Sequence, residues 1–209
     1  LFLFVTFLLL IFRYILNRLF FMAINLSKGS SINLEKENPG LTNVHVGLGW
    51  DAEDSNGNNI DCDVSVFMVN QNNKIPADRF FVFYNNLTSE DGAVVHQGDN
   101  TDGVGDGDDE EIHIDLNKVS NDVLQMMIVV TIHDADQNNQ DFSMVENVFV
   151  RIVDKNNNTE ICRYNLKDTF AEADSVQVGR IYRDGNQWAF EALAQGFSGG
   201  LTSLLTVYN

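Results

Sequence analysis

Residues 47–74 read GLGWDAEDSNGNNIDCDVSVFMVNQNNK, and residues 129–158 read VVTIHDADQNNQDFSMVENVFVRIVDKNNN. Each stretch is a strand-like run closing on an aromatic ring and an aspartate, Trp50-Asp51 in one and His133-Asp134 in the other. An acidic, asparagine-rich loop follows, then a second strand and an Asn-rich turn. Laid side by side, Asp51 falls on Asp134 and Asn72-Asn73 fall near Asn156-Asn157, with slippage in the loop between. An internal repeat of this kind predicts two similar halves whose acidic loops gather at one end of the fold.

The rest of the chain agrees with strands. VHVGLGW (44–50), DVSVFMV (63–69), RFFVFYNNL (79–87), MMIVVTI (126–132), NVFVRIV (147–153) and TEICRYNL (159–166) are β-branched or aromatic runs, and SINLEK (31–36) alternates polar and apolar. Asn-, Asp- and Gly-rich clusters separate them, and RIYRDGNQWAFEAL (180–193) reads as two strands around Asp184-Gly185-Asn186. Only LNKVSNDVLQ (116–125) suggests a helical turn or short helix. With two prolines, Pro39 and Pro76, and no long linker, residues 22–209 read as one domain. The expected fold is all-β: a β-sandwich of two packed sheets with a pseudo-repeated half and at most one or two short helices.

Residues 1–21, LFLFVTFLLLIFRYILNRLFF, stand apart as an apolar N-terminal segment. The unbroken apolar run ends at Phe12, short of the roughly 20 residues that cross a bilayer. The arginines lie after it, the reverse of a secretory signal. The first expectation is translation begun upstream of a true start at Met22; the alternatives are a divergent export signal or a membrane anchor with the domain facing the cytoplasm. The acidic excess belongs to the domain, since this segment carries two arginines and no acid. A net charge of −17, from 30 acidic and 13 basic side chains, disfavours nucleic acid and anionic lipid as partners. Cys62 and Cys162 are too few for a disulfide framework and sit in strand-like runs, so buried free thiols and a cytoplasmic location are expected.

The charge is concentrated. GDNTDGVGDGDDEE (98–111) holds seven carboxylates and four glycines and no lysine or arginine. Such density on a flexible backbone needs a counter-charge. Asp61 and Asp63 flank Cys62 in a strand, so both project from one face while the thiol points the other way. Asp51 and Asp134 close their strands, Asn85 and Asn86 follow an aromatic run, and Asp99, Asn100, Asp108, Asp109 and Glu110 lie in the glycine-rich stretch. Carboxylates, Asn side chains and backbone carbonyls are the ligands of Ca²⁺, which takes six to eight oxygens; Mg²⁺ tolerates irregular cages poorly. Zinc or copper would want clustered His or Cys, and His45, His96, His113 and His133 are scattered in sequence. An EF-hand frame begins on Ala52 where a ligand is required. Asp154–Asn158 reads as a turn. No nucleophile elbow accompanies His133-Asp134, and no P-loop lysine accompanies the glycines, so no catalytic residue is assigned.

LSKGSSINLEKENPGLTNVHVGLGWDA, FFVFYNNL, GDNTDGVGDGDDEEIHIDL, VVTIHDAD and QGFSGGL, in that order from Met22 to about Leu204, resemble the TerD family of tellurium-resistance and general-stress proteins. The matching positions are Asp61 to Asp63, Phe83 to Asn86, Gly98 to Asn100, Gly107 to Glu110 and His133 to Ala135; Asp102 and Val104 depart from the usual residues. The resemblance implies a β-sandwich holding two Ca²⁺ ions and acting in stress and tellurite resistance without known catalysis. Other stress or tellurium-resistance proteins would be its partners, with membrane association only through residues 1–21 or a partner. The alternative function is a calcium-dependent membrane- or partner-docking module. An enzyme acting on a tellurium or phosphate compound is a further rival, and two separated cysteines do not supply its redox pair.

Overall fold

The computed structural model describes residues 24–51, 59–103, 107–166, 170 and 172–209. The apolar segment 1–21, most of the EF-hand frame (52–58) and Val104 lie outside these residues. Two six-stranded sheets pack face to face. One has the order β1 (Ile24–Asn25), β10 (Thr159–Asn165), β9 (Phe149–Asp154), β3 (Asn43–Gly49), β7 (Glu110–Asp115), β6 (Val94–His96). The other runs β2 (Ser31–Asn33), β12 (Gln187–Phe197), β11 (Ser175–Asp184), β8 (Gln125–Ile132), β4 (Cys62–Val69), β5 (Phe81–Val82). This is the expected all-β sandwich.

The repeat is visible in the topology. β3 pairs antiparallel with β9, and β4 with β8. Exchanging the first half's strand pair (β3, β4) for the second's (β8, β9) turns one pairing into the other, the signature of a pseudo-two-fold axis. Each pair of strand ends also carries a backbone link, Asp51 N–H donating to Glu146 C=O at 3.0 Å and His133 N–H to Asp61 C=O at 2.8 Å, the two donors one place apart in the aligned repeat.

Alternation governs β7, whose Ile112 and Ile114 point inward while Glu111 and His113 are half-buried on the outer face. β4 is buried at all eight positions. Cys62, Val64, Val66 and Met68 enter the core between the sheets, whereas Phe67 and Val69 pack outside it with Phe81, Met127, Val129, Leu204 and Tyr208. Leu204 and Tyr208 belong to a C-terminal helix, Gly200–Tyr208, that covers this outer face. A strand covered on both sides needs a continuous apolar run, which is why DVSVFMV shows little alternation.

The helices are short, but not where the sequence suggested. α1 spans Leu34–Glu37, capped by the Asn33 side chain on Lys36 N–H; α2 spans Ala135–Asn138; α3 is the Gly200–Tyr208 helix. Residues 116–122 form turns that lead into β8, held by Asp115, Asp91 and Ser120 side chains accepting backbone N–H groups. These local bonds compete with helix formation. Asp154 likewise holds the turn after β9, accepting from Asn156 N–H and the Asn157 amide.

Both cysteines are free and buried. Burial pushes the Cys162 thiol up to about 12 and raises Cys62 well above its ordinary value, Asp63 and Asp61 adding to the effect. The thiolate is the reactive form. Brief alkylation of the native protein should therefore leave its mass unchanged, while unfolded protein gains two labels; labelling of native protein would contradict the placement of both strands.

Candidate metal centre

Gly49 pairs with Phe149, Cys62 with Ile132 and Leu48 with Glu110, so the ends of β3 and β8 and the starts of β4, β7 and β9 share one end of the sandwich. The acidic side chains gather there. β5 has only two residues, paired with Val66 and Phe67, and so leaves the edge of β4 open at Val64. Glu110, first residue of β7 in the opposite sheet, reaches this edge, and its Oε2 accepts Val64 N–H at 2.7 Å. Its Oε1 accepts from Asn100 N–H at 3.4 Å. Asp63 leaves β4 beside it, and Asp99 approaches from the loop before β7. One carboxylate oxygen from each of Asp63, Asp99 and Glu110 lies within 4.8 Å of the others.

Asp63 and Glu110 are 3% and 1% exposed, so water does little to shield them. Burial, reinforced by Glu110, Asp61 and Asp99, pushes the Asp63 carboxyl up to about 8. Burial also pushes Asp61 up to about 6, against the opposing pull of His133 and with help from Asp99, Glu110 and Asp134. Among the described residues the only basic groups paired with these acids are imidazoles: His133 Nδ1 lies 3.5 Å from Asp63 Oδ2, and His96 Nε2 lies 3.6 Å from Glu110 Oε2. Asp61 Oδ1 and His96 Nε2 are buried with no hydrogen-bond partner. A buried carboxylate oxygen without a partner is costly. An all-oxygen donor set fits a hard divalent ion: opposed ligands around Ca²⁺ at about 2.3–2.6 Å stand up to about 5 Å apart, and the three oxygens fall inside that reach.

The remaining predicted residues do not join this group. Asp109 Oδ2 accepts Trp50 N–H at 3.0 Å; burial, then Asp108, Asp102 and Asp51, raises its carboxyl. Asp51, Asp102 and Asp109 thus form a second acidic neighbourhood beside Trp50, where Asp51 also accepts from the Asn147 amide. Asp134 is exposed in the left-handed region (φ 50°) and accepts from the Gln137 amide. Asn85 is exposed, and the Asn86 amide donates to Phe81 C=O at 2.6 Å to close the Phe83–Asn86 turn. Asn100 Oδ1 accepts from Asp102 and Gly103 N–H groups, building its own loop.

Asp108 is the clearest departure. It lies over Gly47 on the outer face of the other sheet, receiving hydrogen bonds from Arg151 Nε at 2.7 Å and His45 Nε2 at 2.6 Å. Burial alone would raise its carboxyl, but these two partners hold it below the ordinary value. Its oxygens are committed to that pair of donors. Sequence reasoning also missed Tyr84 and His96: burial and then Asp63, Asp99, Asp134 and Asp61 raise the Tyr84 phenol, and its ring meets His133 edge-on at 5.5 Å.

A family model described as TerD domain matches residues 22–208. The chain belongs to the TerD family. It is 44% identical over 187 residues to tellurium resistance protein TerD of Serratia marcescens, covering 90% of this chain and 97% of that protein. It is 42% identical to general stress protein 16U of Bacillus subtilis, with 90% and 97% covered. The fold is similar to a crystal structure of a homologue of telluride resistance protein (TerD) from Streptomyces coelicolor A3(2): TM-score 0.67, 21% identity, 79% of this chain and 96% of that one. These likenesses place the chain in the tellurium-resistance and stress-response family and support the sandwich; the acidic cluster rests on the geometry above.

The raised carboxyls give a pH test. Asp61 and Asp63 hold extra protons in the folded state, so their contribution to stability is complete below about pH 4 and is lost as pH rises through about 6 and then about 8. With chelator present, the melting temperature should fall across that interval, and Asp63→Asn should remove much of the fall. A flat chelated profile in the parent protein would show that these carboxyls are not crowded as described.

Proposed function

We propose that this TerD-family chain is a calcium-binding stress-response protein that contributes to tellurite resistance. The observation that carries the calcium reading is the convergence of Asp63, Asp99 and Glu110, with Asp61 Oδ1 buried and unpartnered and, among the described residues, no lysine or arginine ion pair. These residues would hold one ion; Asp51, Asp102 and Asp109 beside Trp50 are the natural start of a second site. The resistance role is supported by the names of its relatives. We read the protein as a binding protein rather than an enzyme, because the cysteine thiols are sealed in the core. Free thiols also support a cytoplasmic location. Among the described residues no helix is long and apolar enough to cross a membrane.

A cavity of about 250 Å³, lined by Asp63, Tyr84, His133, Asp134, Gly199 and Leu201, adjoins the cluster. It favours a second reading, a calcium-dependent docking module in which an oxygen of the partner completes the ion's coordination.

Calcium in hundredfold excess over its Kd should stabilise the fold by about 2.7 kcal/mol, seen as a higher melting temperature. Magnesium should do less. Asp99→Asn and Asp63→Asn should abolish most of the gain, whereas Asp108→Asn should keep it. No calcium-induced shift and no heat of binding would overturn the calcium reading.

A further inference from the structure

The outer face of the β10–β9–β3–β7 sheet carries a second group of ligand-type side chains that the acidic end does not use. His45 on β3 stands directly opposite His113 on β7, and Glu111, two residues before His113, stands opposite Gly47. All three side chains therefore leave the same face. The imidazole rings are 5.4 Å apart. His113 Nε2 lies 3.1 Å from Glu111 Oε2, and His45 Nδ1 lies 3.6 Å from the same oxygen. One ligand atom from each residue lies within 4.8 Å of the others.

We propose that His45, Glu111 and His113 bind a divalent transition ion of the zinc type, in a site separate from the oxygen-only cluster. Two imidazoles and one carboxylate are the donor set of three-ligand zinc sites that leave a fourth position for water. Zn²⁺ at about 2.0–2.2 Å from each ligand in a tetrahedron holds its ligand atoms about 3.3 Å apart, and the observed 3.1 and 3.6 Å separations straddle that value. Imidazole nitrogen selects against Ca²⁺ and Mg²⁺, which prefer oxygen. Glu111 is 38% exposed in its side chain, so water can reach the fourth position.

The surroundings are those of a supported ligand. His45 Nδ1 is free to face the ion because Nε2 donates to Asp108 Oδ2, itself fixed by Arg151. A carboxylate on the far nitrogen of a ligating imidazole fixes its tautomer and ring orientation. Gly47 makes this possible: a Cβ there would stand 2.0 Å from Asp108 Oδ2. Lys155 Nζ meets His113 Nδ1; its side chain belongs to an exposed residue and must swing away when the ion binds. Arg151 and Lys155 are the cations facing the group, and Asp108 and Glu111 the anions that balance them.

The test is a titration of the full chain with CoCl2 in saturating CaCl2, so that the acidic cluster is occupied or outcompeted. One equivalent of Co²⁺ should give the intense visible bands of a four-coordinate ion, and ZnCl2 should displace it. His45→Ala and His113→Ala should each weaken Zn²⁺ binding at least tenfold by calorimetry, Asp108→Asn should weaken it about 10- to 100-fold, and Lys155→Met should not weaken it. Circular dichroism checks that each variant is folded. In the parent protein, a trace of Cu²⁺ should broaden the ring-proton NMR signals of His45 and His113 before those of His96 and His133. Absence of the cobalt bands, unchanged affinity in both histidine variants, or broadening of His96 or His133 first would overturn the proposal. Each of these readouts is independent of whether calcium binds the acidic end.

Discussion

The bond from Glu110 to Val64 N–H ties the two sheets together at the acidic end. A carboxylate whose side chain is fully buried persists there because a backbone donor on an unpaired strand edge awaits it. Hydrogen bonds to charged groups contribute about 1.5–3 kcal/mol, and leaving the partner unpaired costs a similar amount. The shortness of β5 is therefore as much a part of the site as any acid: a β5 longer by two residues, with Tyr84 opposite Val64, would compete for that donor. With Glu110 held inside, Asp63 and Asp99 face a negative charge that cannot rotate away into water. The electrostatic demand of the whole cluster follows from that one anchor.

The pseudo-two-fold places equivalent strand ends side by side but fills them unequally. Asp51 and Asp134 occupy matching positions; Asp51 itself donates the backbone link to Glu146, and Asp134 follows His133, which donates the link to Asp61. Asp51 looks toward Asn147 and the neighbourhood of Asp109, whereas Asp134 turns outward at φ 50° and starts α2. The loop before β7 contributes Asp99 and Asp109, and β7 itself opens on Glu110. That one stretch thus serves both acidic neighbourhoods.

The strands were legible because their residues satisfy the sheet directly: MMIVVTI and DVSVFMV are runs buried on both faces, and they pair with each other within one sheet. The Gly200–Tyr208 helix was not, because GGLTSLLTVY opens with glycines in the left-handed region and has β-branched residues where a helix former would be expected. The stretch 116–125 carries spaced apolar residues that mimic a helical period, and side-chain bonds to its backbone decide otherwise. In the site, Asp61, Asp63, Asp99 and Glu110 followed from charge density and strand alternation. Asp108 did not. Two residues before Glu110, it would share Glu110's face in a continuous strand, but β7 begins only at Glu110, and Asp108 crosses Gly47 to the outer face. The pairing of His45 with His113 is a property of β3–β7 register, and no local spacing discloses it.

Asp108 and Asp63 separate two uses of a buried acid. Their side chains are 2% and 4% exposed, yet Asp108 is held below the usual carboxylate range while Asp63 rises to about 8. Desolvation acts on both in the same direction, so the difference comes from the partners. Asp108 has a guanidinium and an imidazole within 2.7 Å and needs nothing further. Asp63 has Glu110, Asp61 and Asp99 for neighbours and a single imidazole at 3.5 Å. A carboxylate satisfied by built-in donors supports a fold or orients another ligand; one surrounded by its own kind makes the fold's stability depend on a proton or a cation from solution. Within a chain of net charge −17, that distinction separates the acids that lack a counter-charge of their own from those that have one.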